Sequence, residues 1–407
     1  MNRYQDIIGR INYGLFLTVV ALLPFPQIAL RYAVVLWGIS WLLEGRWLRK
    51  PELCLRQSGS LIQIPILLFG VWIIWKALSG IWCADHAAWA WQMERYLTFF
   101  CIIPIGIWGV NSHYDWRKAG KVLVWSCVAA VPLYMILMTT LYHHREIIDM
   151  LQWKADWDYS CTNWYAFVST NISHVKHRLF LCSIELLGVI MAVQIWREDV
   201  RKLIWMLPVM LAIIPLSGSR QSLLTGIVLL CVAVIYALPQ QKRLRYSLVI
   251  LLSGTLIGGG LLYFHPRTQE VGEEDAIRPT VWSLALQHPS DYLLYGLGAG
   301  QSTSYLVERY EEEGLEFYAA KRIHAHNQYV EELLETGIFG LLLFLFAWLS
   351  IAFCTKKRGR LTAILFTILF MLNMLTDCMF GVFCGIALWA VGLLLIRLQE
   401  EHYNPRR

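Results

Sequence analysis

Apolar residues in this chain come in long runs parted by short polar connections, and the runs are long enough to cross roughly 30 Å of hydrocarbon as helices. They fall at 11–30, 32–48, 61–80, 95–110, 120–142, 178–196, 203–218, 221–238, 246–264, 338–354, 361–377 and 379–396. Arg3 and Arg10 before the first run resemble the start of a signal peptide, but no small-residue cleavage site follows Pro24 and Pro26; the run is read as a helix. The pattern predicts an all-α integral membrane protein with about 12 transmembrane helices.

Composition agrees, since 57% of the 407 residues are hydrophobic and only 16% charged, too few charges to clothe a soluble domain of that size. Basic residues then give the helices a direction. The connections 45–60, 110–121, 197–202, 239–245 and 355–360 are all rich in Lys and Arg, as cytoplasmic loops are. Every second loop is basic, which expects both termini inside and the segments 143–177 and 265–337 outside. The net charge of +6 is thus a topology signal rather than a nucleic-acid footprint, and no DNA or RNA partner is expected.

Three regions follow: 1–264 with nine spans, the outward loop 265–337, and 338–407 with three more spans and a tail. The loop reads as short helices. One opens at Arg278-Pro279 and ends at Pro289; Gly296-x-Gly298-x-Gly300 is a turn returning the chain to the membrane; 301–320 is an acidic helix; a polar helix starts near His326 or Asn327 and reaches Gly337. The ten cysteines show no C-x-x-C spacing and read mostly as small buried hydrophobes. Cys83 and Cys161 fall in outward loops, where an oxidising compartment would let them pair.

Candidate chemistry gathers on the outer face. His324-Ala325-His326-Asn327 stands just before a helix that enters the membrane. A half-wet imidazole there suits a general base; a helix cap by Asn327 and metal binding by the H-x-H pair are the alternatives. Ser217-Gly218-Ser219-Arg220 puts a guanidinium beside hydroxyls at a membrane edge, where it either clamps a phosphate or snorkels to the headgroups. Arg278, four residues before Trp282, is a second cation. Lys76, Arg95, Arg178 and Asp377 stand at the outer ends of spans, and ionisable groups so placed are functional candidates or anchors. Four or five cations with a histidine on one aqueous face suit an anionic, membrane-embedded substrate such as a lipid pyrophosphate. A transporter of a lipid-linked anion would share that charge pattern but would show internal repeats and midplane charges, of which Glu185 is the clearest here.

The S-x-S-R turn at Ser217–Arg220, the R-x-x-x-W at Arg278–Trp282 with its following H-P and G-x-G-x-G, and the H-x-H-N at His324–Asn327 leading into E-x-G-x-x-G at Glu335–Gly340 together resemble the O-antigen ligase and polymerase superfamily of bacterial envelope glycosyltransferases. The resemblance implies a GT-C-like membrane fold and transfer of a glycan from undecaprenyl pyrophosphate to an acceptor hydroxyl on the periplasmic face of the inner membrane, without cofactor or metal. By position, Arg220 and Arg278 would hold the pyrophosphate, with Ser219, Lys76, Arg95 and Asp377 as further substrate contacts. His326, with His324 nearby, would be the base. Within the superfamily the chain is closer to the ligase, whose acceptor is lipid A-core, than to the polymerase or the longer protein O-oligosaccharyltransferases.

Overall fold

A computed structural model describes residues 3–48, 63–142, 176–263, 273–356 and 359–401. The described chain is helical throughout, without a strand. In order the helices are α1 (Arg3–Leu22), α2 (Gln27–Glu44), α3 (Gln63–Leu78), α4 (His86–Trp108), α5 (Trp116–Tyr142), α6 (Arg178–Trp196), α7 (Val200–Leu211), α8 (Ile213–Leu216), α9 (Arg220–Ala237), α10 (Gln240–Tyr263), α11 (Glu273–Ala285), α12 (Ser302–Glu312), α13 (Glu316–Ala320), α14 (Gln328–Cys354), α15 (Arg360–Asn373) and α16 (Phe383–Glu401).

Among them α3, α5, α6, α9, α10, α14 and α16 are long and apolar enough to cross a membrane. Every other predicted run also lies in or against a helix, but these are shorter or more polar. α15 has 14 residues, and the first half of α4 carries His86, Glu94 and Arg95. The first break differs from the expectation, because Pro24 and Pro26 end α1 at Leu22 and start α2 at Gln27 instead of leaving one run to residue 30. The segment 143–175, with Cys161 and its pairing to Cys83, lies outside the described residues, as do most of the basic connection 45–60 and the tail beyond 401.

The chain divides into two compact units, Met1–Gly9 with Gly38–Ser112 and Glu270–Arg407, and Arg10–Trp37 with His113–Gln269. In the first unit α14 lies along α3, and α16 packs on α4. Aromatic rings fill its centre: Phe69 sits 4.9 Å from Trp389 and 5.4 Å from Trp348, and Phe99 lies 5.0 Å from Phe380. Such ring pairs add packing energy beyond the area they bury. The loop helices build a core of their own from Val281, Leu284, Tyr292, Tyr305, Leu306, Tyr310 and Leu334. Their boundaries differ from expectation. α11 begins at Glu273 and carries Pro279 within it, and the acidic stretch splits into α12 and α13 around Gly314, whose φ of 68° is left-handed.

In the second unit α5 packs on α6. Trp37 donates through its indole to the Tyr114 hydroxyl at 2.8 Å, and the Phe16 ring stacks on Tyr114. Lys176 donates to the carbonyls of Leu23 and Phe25, closing the turn between α1 and α2 whose own acceptors no helix satisfies.

Candidate active site

Between α13 and α14 the chain turns through Lys321–Asn327, and its shape is set residue by residue. Arg322 and His326 are the non-glycine residues with left-handed backbone among those described, at φ 46° and 47°. Such conformations cost energy and persist only where surrounding bonds hold them. Here Trp282 donates its indole N–H to the Ala325 carbonyl at 2.9 Å, and the Tyr310 hydroxyl donates to the Ile323 carbonyl at 3.0 Å. The His326 backbone N–H donates to His324 Nδ1 at 3.2 Å. Asn327 caps α14, its side-chain oxygen accepting from the N–H groups of Tyr329 and Val330 at 2.9 and 3.2 Å, so the capping alternative for Asn327 is realised.

The first turn of α14 is also fastened to the chain that follows α15. The Gln328 N–H donates to the Met374 carbonyl at 2.9 Å, and Gln328 Oε1 accepts from the Phe380 N–H at 2.8 Å. This ties Asp377 and Cys378, 54 residues downstream of His324, to the histidines.

Farther along α14, Gly337 breaks the helix at φ 66°, ψ −170°, and the carbonyls this releases find new donors in the glycine turn. Leu297 N–H donates to the Leu334 carbonyl at 2.8 Å and Gly298 N–H to that of Glu335 at 2.9 Å. The fit is reciprocal: a Cβ on Gly296 would lie 2.3 Å from the Glu335 carbonyl, and one on Gly337 would lie 2.3 Å from that of Leu294. The turn is therefore more than a return to the membrane. It caps an internal helix end. Glu335 then reaches back, its Oε1 accepting from the Gly300 N–H at 3.0 Å and the Ser302 hydroxyl at 3.1 Å.

Around these elements lies a cavity of about 590 Å³, lined by Asp85, Trp91, Gln92, Arg95, Ser302, Thr303, Ser304, Arg322, His324, Glu331, Glu335, Asp377 and Cys378 among others. Side chains of both charge signs line it. Arg95 lies 3.3 Å over the Trp91 ring and donates to the Gly381 carbonyl at 3.1 Å, so a cation–π contact and one hydrogen bond orient its guanidinium. Arg322 contributes a second, exposed guanidinium. The His324 and His326 rings lie 3.8 Å apart, tilted by 35°, and Asp377 is within 4.8 Å of both by nearest ligand atoms. Cys378 Sγ is 3.6 Å from His324 Nδ1. Burial, and after it the Glu331 and Asp377 carboxylates, pushes the Cys378 thiol well above its ordinary range, which keeps it an S–H group.

Of the residues expected from sequence, His324, Asp377 and Arg95 line this cavity, with His326 packed on His324. Lys76 does not. It is fully buried between α3 and α14, ion-paired with Glu332 and Glu335 at 2.8 Å each and donating to the Tyr96 hydroxyl at 3.1 Å. Its charge is consumed inside the protein, so it joins two helices instead of offering a cation to substrate. Arg278 sits on α11, and its Nε is buried without a hydrogen-bond partner among the described residues. Ser219 and Arg220 belong to the second unit, where Ser219 caps α9 by accepting from the Ser222 N–H at 3.3 Å and Arg220 is the first helical residue. Arg322 and Glu331 were not site candidates from sequence, and Trp282 was named only as part of the R-x-x-x-W motif. Arg322 was legible as a basic residue two positions before the histidine motif, whereas the role of Trp282 depends on a hydrogen bond across 43 residues.

His324, His326 and Asp377 stand close enough to surround a cation.

Residues 205–345 match the family described as O-antigen ligase. The match covers 141 of the 407 residues. The matched segment runs from α7 into α14 and contains the S-x-S-R turn, Arg278, Trp282, the glycine turn and H-x-H-N; Lys76, Arg95 and Asp377 lie outside it. No curated protein matches the chain.

Proposed function

We propose that the protein is an O-antigen ligase, transferring a glycan from undecaprenyl pyrophosphate to a sugar hydroxyl of lipid A-core at the periplasmic face of the bacterial inner membrane. The observation that supports this is the cavity lined by His324, Asp377, Arg95 and Arg322, with the His326 ring packed on His324. A twelve-span topology, with both termini cytoplasmic, rests on the alternation of basic loops and on the helices that cover the apolar runs.

The chemistry follows from the groups. The acceptor oxygen attacks the anomeric carbon as the bond to the pyrophosphate breaks; the leaving group keeps the bonding electrons, and His326 takes the hydroxyl proton. Guanidinium groups stabilise the negative charge that grows on the leaving oxygen, where a preorganised cation acts most strongly. Arg95 and Arg322 are cavity-lining cations for this role; a carrier-binding role for Ser219, Arg220 and Arg278 rests on the family motifs alone. A single displacement inverts the anomeric configuration. No metal or nucleotide is needed for any of these steps.

Full-length protein in lipid nanodiscs, given an undecaprenyl-pyrophosphate glycan and lipid A-core, should transfer the glycan, and a chelator should leave the rate unchanged. Transfer to a second lipid-linked repeat unit with none to lipid A-core would make it a polymerase, and loss of activity with the chelator would overturn the metal-free reaction.

A further inference from the structure

The chain just before the glycine turn carries apolar side chains where a loop in water would carry polar ones. Leu293, Leu294 and Tyr295 are all exposed, Leu294 at 56% and Tyr295 at 57%, and no charged residue stands between Asp291 and Glu308. Two other elements add to the patch. Ile81 and Trp82, just past the end of α3, are exposed as well, in a stretch without charge between Lys76 and Asp85. Phe339, 55% exposed, follows the break in α14 at Gly337.

Bonds hold these three pieces side by side. The Tyr295 ring stacks on that of Phe339, with centroids 6.1 Å apart and 25° between the planes. Trp82 donates its indole N–H to the Gly296 carbonyl at 3.1 Å and packs on Trp75, which donates to the Thr336 carbonyl at 3.1 Å. The Ile338 N–H donates to the Leu293 carbonyl at 2.7 Å.

The patch also continues two exposed ridges. Val71, Ile74 and Leu78 lead along one face of α3 to Ile81, and Phe339, Leu342 and Phe346 run along one face of α14, at helical spacing. Both helices are long and apolar enough to cross a membrane, so the medium that meets these ridges is lipid. Irregular backbone enters that medium only where its polar groups have protein partners. Those of Leu293 and Gly296 have them: besides the two carbonyls above, the Leu293 N–H donates to the Pro289 carbonyl at 2.8 Å and the Gly296 N–H to that of Tyr292 at 2.9 Å. Tyr and Trp are the side chains that settle where acyl chains meet headgroups.

We propose that Leu293–Tyr295, together with Ile81, Trp82 and Phe339, is a lipid-inserted surface at this end of α3 and α14, with phospholipid as its partner. Tyr295 and Trp82 lie at headgroup level and the leucines among the upper acyl chains. The glycine turn that follows carries Gly300 to the cavity wall, so this contact sets the height of that wall against the bilayer. The proposal does not depend on glycan transfer.

Wild-type full-length protein in nanodiscs, doped with a phospholipid that carries a diazirine high on its acyl chain, tests this without altering the patch. Photolysis should attach lipid to the peptide holding Leu293–Tyr295 roughly tenfold more than to the turn Glu311–Gly314, because the carbene stays within the apolar slab and its borders. That turn is exposed in the same loop. Labelling of Leu342–Phe346 with none at Leu293–Tyr295 would overturn the proposal. A fluorescent amino acid in place of Leu294 gives a second readout, compared in nanodiscs of ordinary and of brominated phospholipid. Bromine should quench at least half of its emission. Unquenched emission would also overturn the proposal, and aqueous iodide then identifies the true cover: quenching by iodide means water, and protection from it a protein partner.

Discussion

His326 owes its position to bonds made by other residues, and these give the account its sharpest tests at the scale of single side chains. Trp282 holds the Ala325 carbonyl between the two histidines. Replacing it with Phe keeps most of the ring but removes the indole N–H, so turnover should fall about tenfold, as expected for one lost hydrogen bond of roughly 1 kcal/mol, with the melting temperature little changed. Equal loss of folded protein and activity would make Trp282 a packing residue only. Cys378 offers a pH test. Its thiol is pushed up by burial and by Glu331 and Asp377, so the thiolate that alkylating agents attack stays scarce until pH rises well above the ordinary cysteine range. Maleimide labelling of Cys378 at pH 7.5 should be slow and should go on rising about tenfold per pH unit up to pH 9 without a plateau; rapid labelling at neutral pH contradicts this environment. At this scale the sequence revealed the kinds of residue the site uses. It did not reveal their neighbours, because Cys378 and Trp282 reach the histidine turn only through contacts across 54 and 43 residues.

At the scale of elements, the association of α3 with α14 depends on a buried charge. Lys76 pairs with both Glu332 and Glu335, where neither carboxylate sees water. Removing one member of such a group costs about 3–5 kcal/mol, because the others remain buried and unpaired. Lys76→Met should therefore lower the yield of folded protein and its melting temperature, and the survivors should bind the lipid carrier normally. A stable Lys76→Met protein with a raised KM would return Lys76 to the substrate site. Its pairing was not legible in the sequence. A lysine at the end of an apolar run looks like an outward cation, and its partners are 256 and 259 positions away. Gly337 was legible only as a helix boundary. The structure makes it a break inside α14, and Gly337→Ala should destabilise the protein because its Cβ would lie 2.3 Å from the Leu294 carbonyl oxygen in a backbone conformation that L residues avoid. Thermal unfolding in nanodiscs checks this, and an unchanged midpoint would mean that the glycine turn does not hold the kink.

On the scale of the whole molecule, apolar run length and basic loops carried most of the helical layout, since both follow from the bilayer as solvent. Boundaries moved where proline or glycine chemistry intervened, at Pro24–Pro26 and at Gly314. The topology these features support expects a periplasmic reporter fused after residue 313 to be active and one fused after residue 242 to be silent; the reverse pattern would invert the protein in the membrane. Orientation matters because the cavity of the first unit must meet its lipid-linked substrate on the face where the glycan is displayed. The central claim is that this cavity transfers a glycan with His326 as base. It is tested most directly by following transfer from an undecaprenyl-pyrophosphate glycan to lipid A-core by wild type and His326→Ala, both full-length in nanodiscs and matched for melting temperature. The account predicts transfer by wild type and a loss of roughly 10²–10⁴-fold in the variant, the usual contribution of a positioned general base. Unimpaired transfer by His326→Ala would contradict it.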